Sequence, residues 1–196
     1  RIPDENETIR MDWCGLRCIF LSNGTDMKLP KLKTPKLDLV PTYLFPMFWG
    51  AQNPELVAQY LHQACKLVEP GAHFADNFFT WCRNNSMLED EVFVKAWQSN
   101  CECDADRAIV WRRYIQACAA YHCVQLDGDF VDCGAYTGAG VKTILDYLGG
   151  TEFPKSFWAY DLFEHEEGML HHSMPLHGKD LYERVKAKFK DYHQVK

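Results

Sequence analysis

The feature that most constrains the fold is a glycine-rich turn placed between a short apolar strand and a helix. Residues 129–140 read Asp-Phe-Val-Asp-Cys-Gly-Ala-Tyr-Thr-Gly-Ala-Gly. A second apolar segment, residues 157–160, follows the helix and is itself followed directly by Asp161. This order of strand, turn, helix and strand predicts two parallel strands joined by a crossover helix. In such folds, ligands bind in the crevice at the carboxyl ends of the strands.

The spacing of the glycines indicates the class of ligand. Gly134, Gly138 and Gly140 give the pattern G-x-x-x-G-x-G instead of the G-x-G-x-x-G of dinucleotide-binding turns. In the dinucleotide pattern the pyrophosphate lies against the helix N-terminus. Here Asp132 precedes the first glycine, which favours a ligand with an amino group and no phosphate. Asp161 is placed to accept hydrogen bonds from ribose hydroxyls. S-adenosylmethionine has these properties.

Length and composition exclude several classes of protein. The chain has 196 residues, enough for one sizeable domain, and is 47% hydrophobic and 24% charged, as in ordinary globular proteins. Its net charge of −6 gives no general attraction to nucleic acid, so we expect no nucleic-acid partner. The sequence contains no apolar run of the roughly 20 residues that cross a bilayer, and we expect no membrane partner and a cytoplasmic location.

The nine cysteines are interpreted as reduced thiols. Cys65, Cys118 and Cys133 fall inside apolar patterns, and we expect them to be buried. Two close pairs lack the C-x-x-C spacing that is typical of structural zinc sites, namely Cys14 with Cys18 and Cys101 with Cys103.

Pattern and composition divide the chain into three parts. We predict a proline-rich arm over residues 1–48, a helical cap over 49–126, and a Rossmann-like part that binds S-adenosylmethionine over 127–196. The cap should contain three helices, which begin at the N-cap signals Asn53, Ser86 and Asp104. Helical spacing predicts that the first buries Leu56, Tyr60, Leu61, Ala64, Cys65 and Val68, and that the third buries Ala108, Trp111, Ile115, Cys118, Ala119 and His122.

The Rossmann-like part continues to the last residue. A final helix should bury Leu181, Val185 and Phe189, while Arg112–Arg113 and the lysines of the final helix are interpreted as solvated helix faces. A third strand should begin at residues 194–196. Because two parallel strands leave faces and edges uncovered, we expect a longer enzyme of which this is the N-terminal part, or a partner chain that completes the sheet.

Several segments resemble the macrocin (TylF-type) O-methyltransferases, which methylate sugar hydroxyls of natural products. Residues 128–134, GDFVDCG, resemble the GDFVECG opening of that family, and residues 160–164, YDLFE, are similar to its FDTFEG segment. Residues 76–80 and 86–91 resemble uncharacterised members. The resemblance covers about residues 74–196.

This resemblance implies a Rossmann-like methyltransferase fold and a site for S-adenosylmethionine. It places Asp132, Gly134 and Gly138 near the methionine portion, Asp161 on the ribose, and Leu162 and Phe163 beside the adenine. The predicted cofactor-binding set is Asp132, Gly134, Ala135, Tyr136, Thr137, Gly138, Gly140, Asp161, Leu162 and Phe163.

The chain departs from the family pattern at three points of this site. Asp132 stands where glutamate is common, Ala135-Tyr136-Thr137 replaces the usual Val-x-Arg/Lys turn, and Leu162 replaces a small hydroxyl residue. These departures bear on the choice of substrate. The resemblance further implies a divalent metal, generally magnesium, held by aspartates beyond residue 196, and no metal site within this chain.

Four histidines lie in the polar segment after the second strand, namely His165, His171, His172 and His177. We interpret the segment as a solvated lid, because no carboxylate–histidine spacing in it matches a known metal site. If one of these histidines acts as the catalytic base, His171 or His172 is best placed.

The predicted activity is the transfer of a methyl group from S-adenosylmethionine to a hydroxyl of a sugar or another small natural product. An NAD(P)-dependent oxidoreductase is one alternative, since it shares the strand–turn–helix and the acid that binds ribose. A non-catalytic assembly module is the other. A homo-oligomer would form through the N-terminal arm or the open sheet edge.

Overall fold

The computed structural model describes residues 43–45, 47–68, 71–81, 85–170 and 173–196. Within these ranges the chain forms mixed α/β structure with seven α-helices, one short 3-10 helix at Gly150–Glu152 and two small sheets. The predicted α/β class is therefore confirmed. Of the predicted proline-rich arm, residues 1–42 lie outside the described part of the chain.

The first sheet joins one strand from the predicted arm to two strands from the segment that was predicted to be helical. Its strands are β1 Tyr43–Leu44, β2 Ala72–Ala75 and β3 Phe78–Trp81, with β1 parallel and β3 antiparallel to β2. Asp76 and Asn77 join β2 to β3, with φ values of 54° and 55°. Asp and Asn tolerate this left-handed conformation better than other non-glycine residues, which makes the tight hairpin turn accessible. The segment 49–126, predicted as a helical cap, therefore contains the strands β2 and β3 as well as helices.

Five helices precede the second sheet. The first keeps its predicted bounds, whereas the predicted second and third helices are each divided in two. Asp90 divides the second, because its Oδ1 accepts hydrogen bonds from the amides of Val92 and Phe93 and so caps a new helix. The five are α1 Pro54–Val68, α2 Ser86–Glu89, α3 Glu91–Asn100, α4 Asp104–Ala108 and α5 Val110–Cys123.

Two predicted buried faces were wrong in part. On α1, Cys65 is buried and Leu61 is half-buried, whereas Leu56, Tyr60 and Ala64 are exposed. Helix α1 contacts β2, the central strand of the first sheet, through Cys65 and Leu61, and much of its apolar stripe stays in solvent. On the third predicted helix, Ala108 is buried as expected, but the break at Ile109 rotates α5, which buries Val110, Ala117 and Ala120 and exposes Ile115 and Ala119.

The second sheet contains the predicted parallel pair, β4 Phe130–Cys133 and β5 Phe157–Tyr160, with Phe130 opposite Phe157. Helix α6, Ala139–Tyr147, connects them, and α7, Leu181–Lys188, follows. Leu181, Val185 and Phe189 are buried, as predicted. Val195 forms a parallel bridge with Phe157, so the expected third strand does begin at the end of the chain.

The main core lies on one face of this second sheet. Helix α6 packs there against α3 and α5, with Tyr147, Leu145 and Val141 fully buried between them. On the opposite face, Val131, Trp158 and Tyr160 are exposed, and so is Cys133. The prediction that Cys133 is buried was therefore wrong, because the strand alternates and turns this thiol away from α6. Cys65 is buried as expected and Cys118 is half-buried.

No helix in the described ranges is both long and apolar enough to span a membrane.

Candidate functional site

The candidate site is the crevice at the carboxyl ends of β4 and β5, formed by residues 132–138 and 161–163. The turn begins at Gly134, whose amide donates to the carbonyl of Tyr160 at 2.8 Å and continues the ladder between the strands. Gly134 is exposed with φ of +100°, and a Cβ placed on it would contact nothing within 4 Å. The turn is therefore open to solvent at its first glycine, as a bound ligand would require.

Asp161 ties the two sides of the crevice together. Its Oδ2 accepts a hydrogen bond from the amide of Tyr136 and its Oδ1 accepts one from the amide of Phe163, each at 2.7 Å. Both partners have left-handed backbone, with φ of 49° and 59°. Because an ionised carboxylate offers about four acceptor positions, two remain for a ligand hydroxyl pair.

Asp132 lies half-buried on the α6 side of β4. Burial raises the pKa of its carboxyl group, Arg113 lowers that pKa and Asp161 raises it. The two acids that the sequence placed at neighbouring strand ends thus lie close enough to interact electrostatically. Their mutual repulsion favours a cationic group between them.

Gly138 and Gly140 face protein instead of open space. A Cβ on Gly138 would lie 2.7 Å from Cε2 of Phe189, which follows α7. A Cβ on Gly140 would lie 2.9 Å from Cζ of Arg113 on α5. These two glycines therefore allow close packing of helices against the turn. Of the remaining predicted residues, Ala135 and Thr137 are also buried, whereas Tyr136 and Phe163 are half-buried and Leu162 is 66% exposed.

Helix α7 also holds the turn by a charge contact that the sequence interpretation missed. The Lys188 ammonium donates to the carbonyl of Thr137 and pairs with Glu102, which also accepts from Arg184 at 3.0 Å. Lys188 is half-buried, so the prediction that the lysines of this helix are solvated was wrong for it. Arg184 and Lys188 lie one helical turn apart, and this spacing could have indicated that they share an acidic partner.

The segment after β5 folds back onto the crevice. The Leu176 amide donates to the Tyr136 hydroxyl oxygen at 2.8 Å, and the Gly178 amide donates to the carbonyl of Phe163 at 3.0 Å. Residues 166–170 are exposed. Part of the predicted lid is thus solvated, and part is docked on the glycine-rich turn.

The histidines of this segment differ in what they contact. His171 and His172, the candidate bases, lie outside the described residues. Nδ1 of His177 accepts from the Met174 amide at 3.1 Å, and its ring lies edge-to-face on Tyr136 and stacks on His165. With Nδ1 so occupied, His177 serves to fix the segment on Tyr136.

A cavity of about 450 Å³ lies beside the open edge of β4 and does not coincide with the crevice. Its walls come from α5, from β4 and the segment 126–129 before it, and from Ile144 and Phe157, and Asp132 belongs to both the cavity and the crevice. Among the described residues, no group of three His, Cys, Asp or Glu side chains could hold a metal ion.

Comparison with known proteins gives no assignment. No protein-family model matches the chain, and neither a curated protein nor a solved structure matches it significantly.

Proposed function

We propose that the crevice binds S-adenosylmethionine and that the protein is a methyltransferase acting on a hydroxyl of a sugar or another small natural product. One observation carries the proposal: Asp132 near the end of β4 and Asp161 directly after the parallel strand β5 lie at the same end of the sheet as the open Gly134. We also propose that the second sheet and its helices are Rossmann-like. The parallel pair, the connecting helix α6 and the third strand that begins at Val195 support this.

Each accessible residue of the crevice has a role that its chemistry supports. The free acceptor positions of Asp161 suit the two ribose hydroxyls, and Asp132 suits the ammonium of the methionine portion. The exposed side chain of Leu162 offers an apolar surface for the adenine. When bound, the cofactor supplies a methyl group on a sulfonium, and the protein contributes alignment of the acceptor.

Removal of the acceptor proton requires a base or a metal ion. His165 is half-buried, and its ring stacks on His177 of the docked segment. The proposal of magnesium, with ligands beyond residue 196, stays a prediction.

The geometry favours S-adenosylmethionine over NAD(P). A dinucleotide would bring its pyrophosphate to the turn, where the Asp132 carboxylate would repel it. Calorimetric titration of the protein with S-adenosylmethionine, NAD⁺ and NADPH distinguishes the methyltransferase hypothesis from the oxidoreductase hypothesis. We expect measurable affinity for S-adenosylmethionine alone. Preferential binding of either nicotinamide cofactor would overturn the proposal in favour of an oxidoreductase.

One observation favours the non-catalytic alternative. The face of the second sheet opposite α6 exposes Val131, Trp158 and Tyr160, and parallel sheets normally have both faces covered. An assembly module would self-associate through such a surface and bind no cofactor. Light scattering over a range of protein concentrations, together with the calorimetry, tests this alternative. Self-association without binding of S-adenosylmethionine would support it.

A further inference from the structure

Arg113 lies beside the crevice. The sequence had predicted that it lies on a solvated helix face, and this prediction was wrong. Its side chain is only 19% exposed. Nη1 donates to Oε1 of Gln116 at 2.9 Å, and Nη2 lies 3.9 Å from Oδ1 of Asp106 on α4. The cation is therefore held between α5 and α4, within the protein.

Gly140 brings this cation close to the glycine-rich turn. The guanidinium occupies the space where any larger residue would carry its Cβ, and its Cζ would lie 2.9 Å from that atom. Gly140 belongs to the first turn of α6, which directly follows β4 and the glycine-rich turn. Asp132 lies on the same face of β4 as Phe130, which packs against the core. Gln116, which accepts a hydrogen bond from Arg113, lines the same cavity as Asp132. Arg113 therefore lies on the Asp132 side of β4.

Asp106 is an incomplete partner for Arg113. Its Oδ2 accepts from the amides of Glu102 and Cys103 at 3.0 and 3.2 Å, which caps α4, and its Oδ1 is 3.9 Å from the guanidinium. Burial lowers the pKa of Arg113, whereas Asp106 and then Asp132 raise it, with smaller effects from Cys101 and Arg112. The charged groups that act on Asp132 are Arg113 and Asp161. Arg113 is thus the cation that offsets both the burial of Asp132 and its repulsion by Asp161.

We propose that Arg113 is a positioning residue that keeps Asp132 anionic at the crevice, so that Asp132 can contact a cationic amino group of the ligand. The ligand part of this inference rests on the proposed function. The effect on Asp132 itself does not, and it is measurable in the free protein.

The first test is NMR titration of the Asp132 carboxyl group in the wild type and in Arg113→Gln. Removal of the nearby cation should raise the Asp132 pKa by roughly one unit or more. Arg113→Lys retains the charge without the flat guanidinium and should give a smaller rise. Arg107→Gln is the matched control, because it removes a charge that pairs with Asp104 at an exposed site. An unchanged Asp132 pKa in both Arg113 variants would overturn the proposal.

The second test measures affinity for S-adenosylmethionine between pH 6 and pH 8. Wild type and Arg107→Gln should show the same profile. The ratio of wild-type affinity to Arg113→Gln affinity should be largest at pH 6 and should fall as the pH rises, because the Asp132 carboxylate is then restored in the variant. A uniform loss of affinity at all pH values would instead indicate a structural role. If the wild type does not bind S-adenosylmethionine, the proposed function fails, and the NMR titration still decides the role of Arg113.

Discussion

The carboxylate of Asp161 accepts a hydrogen bond from the amide of Tyr136 at 2.7 Å and so joins the end of β5 to the turn after β4. A second bond of the same length, from the amide of Phe163, fixes the residues that follow β5. The bond from its amide helps to hold Tyr136 in left-handed backbone, with φ of 49°.

These two hydrogen bonds predict that Asp161 stabilises the fold in addition to binding the ligand. Asp161→Ala should lower the free energy of unfolding by roughly 2–3 kcal/mol, because two hydrogen bonds to a charged acceptor are lost. Asp129→Ala is the control, since Asp129 also bonds to the next strand, through Ser156 and Trp158, but at an exposed site. Its cost in urea denaturation should be clearly smaller. Equal costs would show that Asp161 has no special structural role.

Gly138 should be intolerant of a side chain because of Phe189. Gly138→Ala adds a methyl group that meets the ring at 2.7 Å, as well as backbone strain at φ of +75°. Gly149→Ala imposes the same kind of strain, at φ of +117°, but its Cβ would meet nothing within 4 Å. In thermal or urea denaturation, Gly138→Ala should cost roughly 1–3 kcal/mol more than Gly149→Ala. A difference near zero would mean that α7 moves away without cost.

His73 should make stability depend on pH. It is fully buried in β2, its nitrogens have no hydrogen-bond partner among the described residues, and burial lowers its pKa to about 4, partly opposed by Asp76. Between pH 6.5 and 4 the unfolded chain binds a proton that the folded protein does not. Stability should therefore fall by roughly 3 kcal/mol as the pH falls through this window.

The matched variants for this prediction are His73→Phe and His62→Phe. Other groups titrate over the same range, so the difference from wild type is the informative quantity. His73→Phe should remove most of the slope of unfolding free energy against pH. His62→Phe, at an exposed position on α1, is the control for the replacement of a histidine by phenylalanine. An unchanged slope in His73→Phe would contradict the assignment.

Tyr147 and Asp90 should be coupled across the core. The Tyr147 hydroxyl donates to Oδ2 of Asp90 at 2.9 Å, while Oδ1 of the same carboxylate caps α3. Tyr147→Phe should cost roughly 1–3 kcal/mol, and Asp90→Ala should cost more because the cap is lost as well. Tyr182→Phe, at an exposed position on α7, is the control and should be neutral. A double-mutant cycle in which the two costs simply add would contradict the coupling.

The second sheet could be predicted because its strands are short apolar runs that end at glycine or at an acid. β4 and β5 accordingly have the bounds that the sequence indicated. The hairpin of β2 and β3 was missed because its two strands are joined by Asp76 and Asn77, without the glycine that marks a two-residue hairpin turn in a sequence.

The candidate site was only partly predictable for a related reason. The sequence pattern predicted Gly134 and Asp161 as site residues, because each directly follows the end of a strand. It could not show that Gly138 serves the packing of Phe189, or that Arg113 is buried against Gly140. Those contacts join residues far apart in the chain, and a periodic pattern shows only that a face is apolar or polar, not what covers it.

The most direct measurement is calorimetric titration of S-adenosylmethionine into the wild type, Gly134→Ala and Gly128→Ala. Both glycines have positive φ, +100° and +106°, and a Cβ on either meets nothing within 4 Å. They differ in place, since Gly134 opens the crevice and Gly128 precedes β4 at its other end. We expect Gly128→Ala to bind as the wild type does and Gly134→Ala to lose at least about ten-fold in affinity. Equal affinity of the two variants, or no binding to the wild type, would contradict a cofactor site in this crevice.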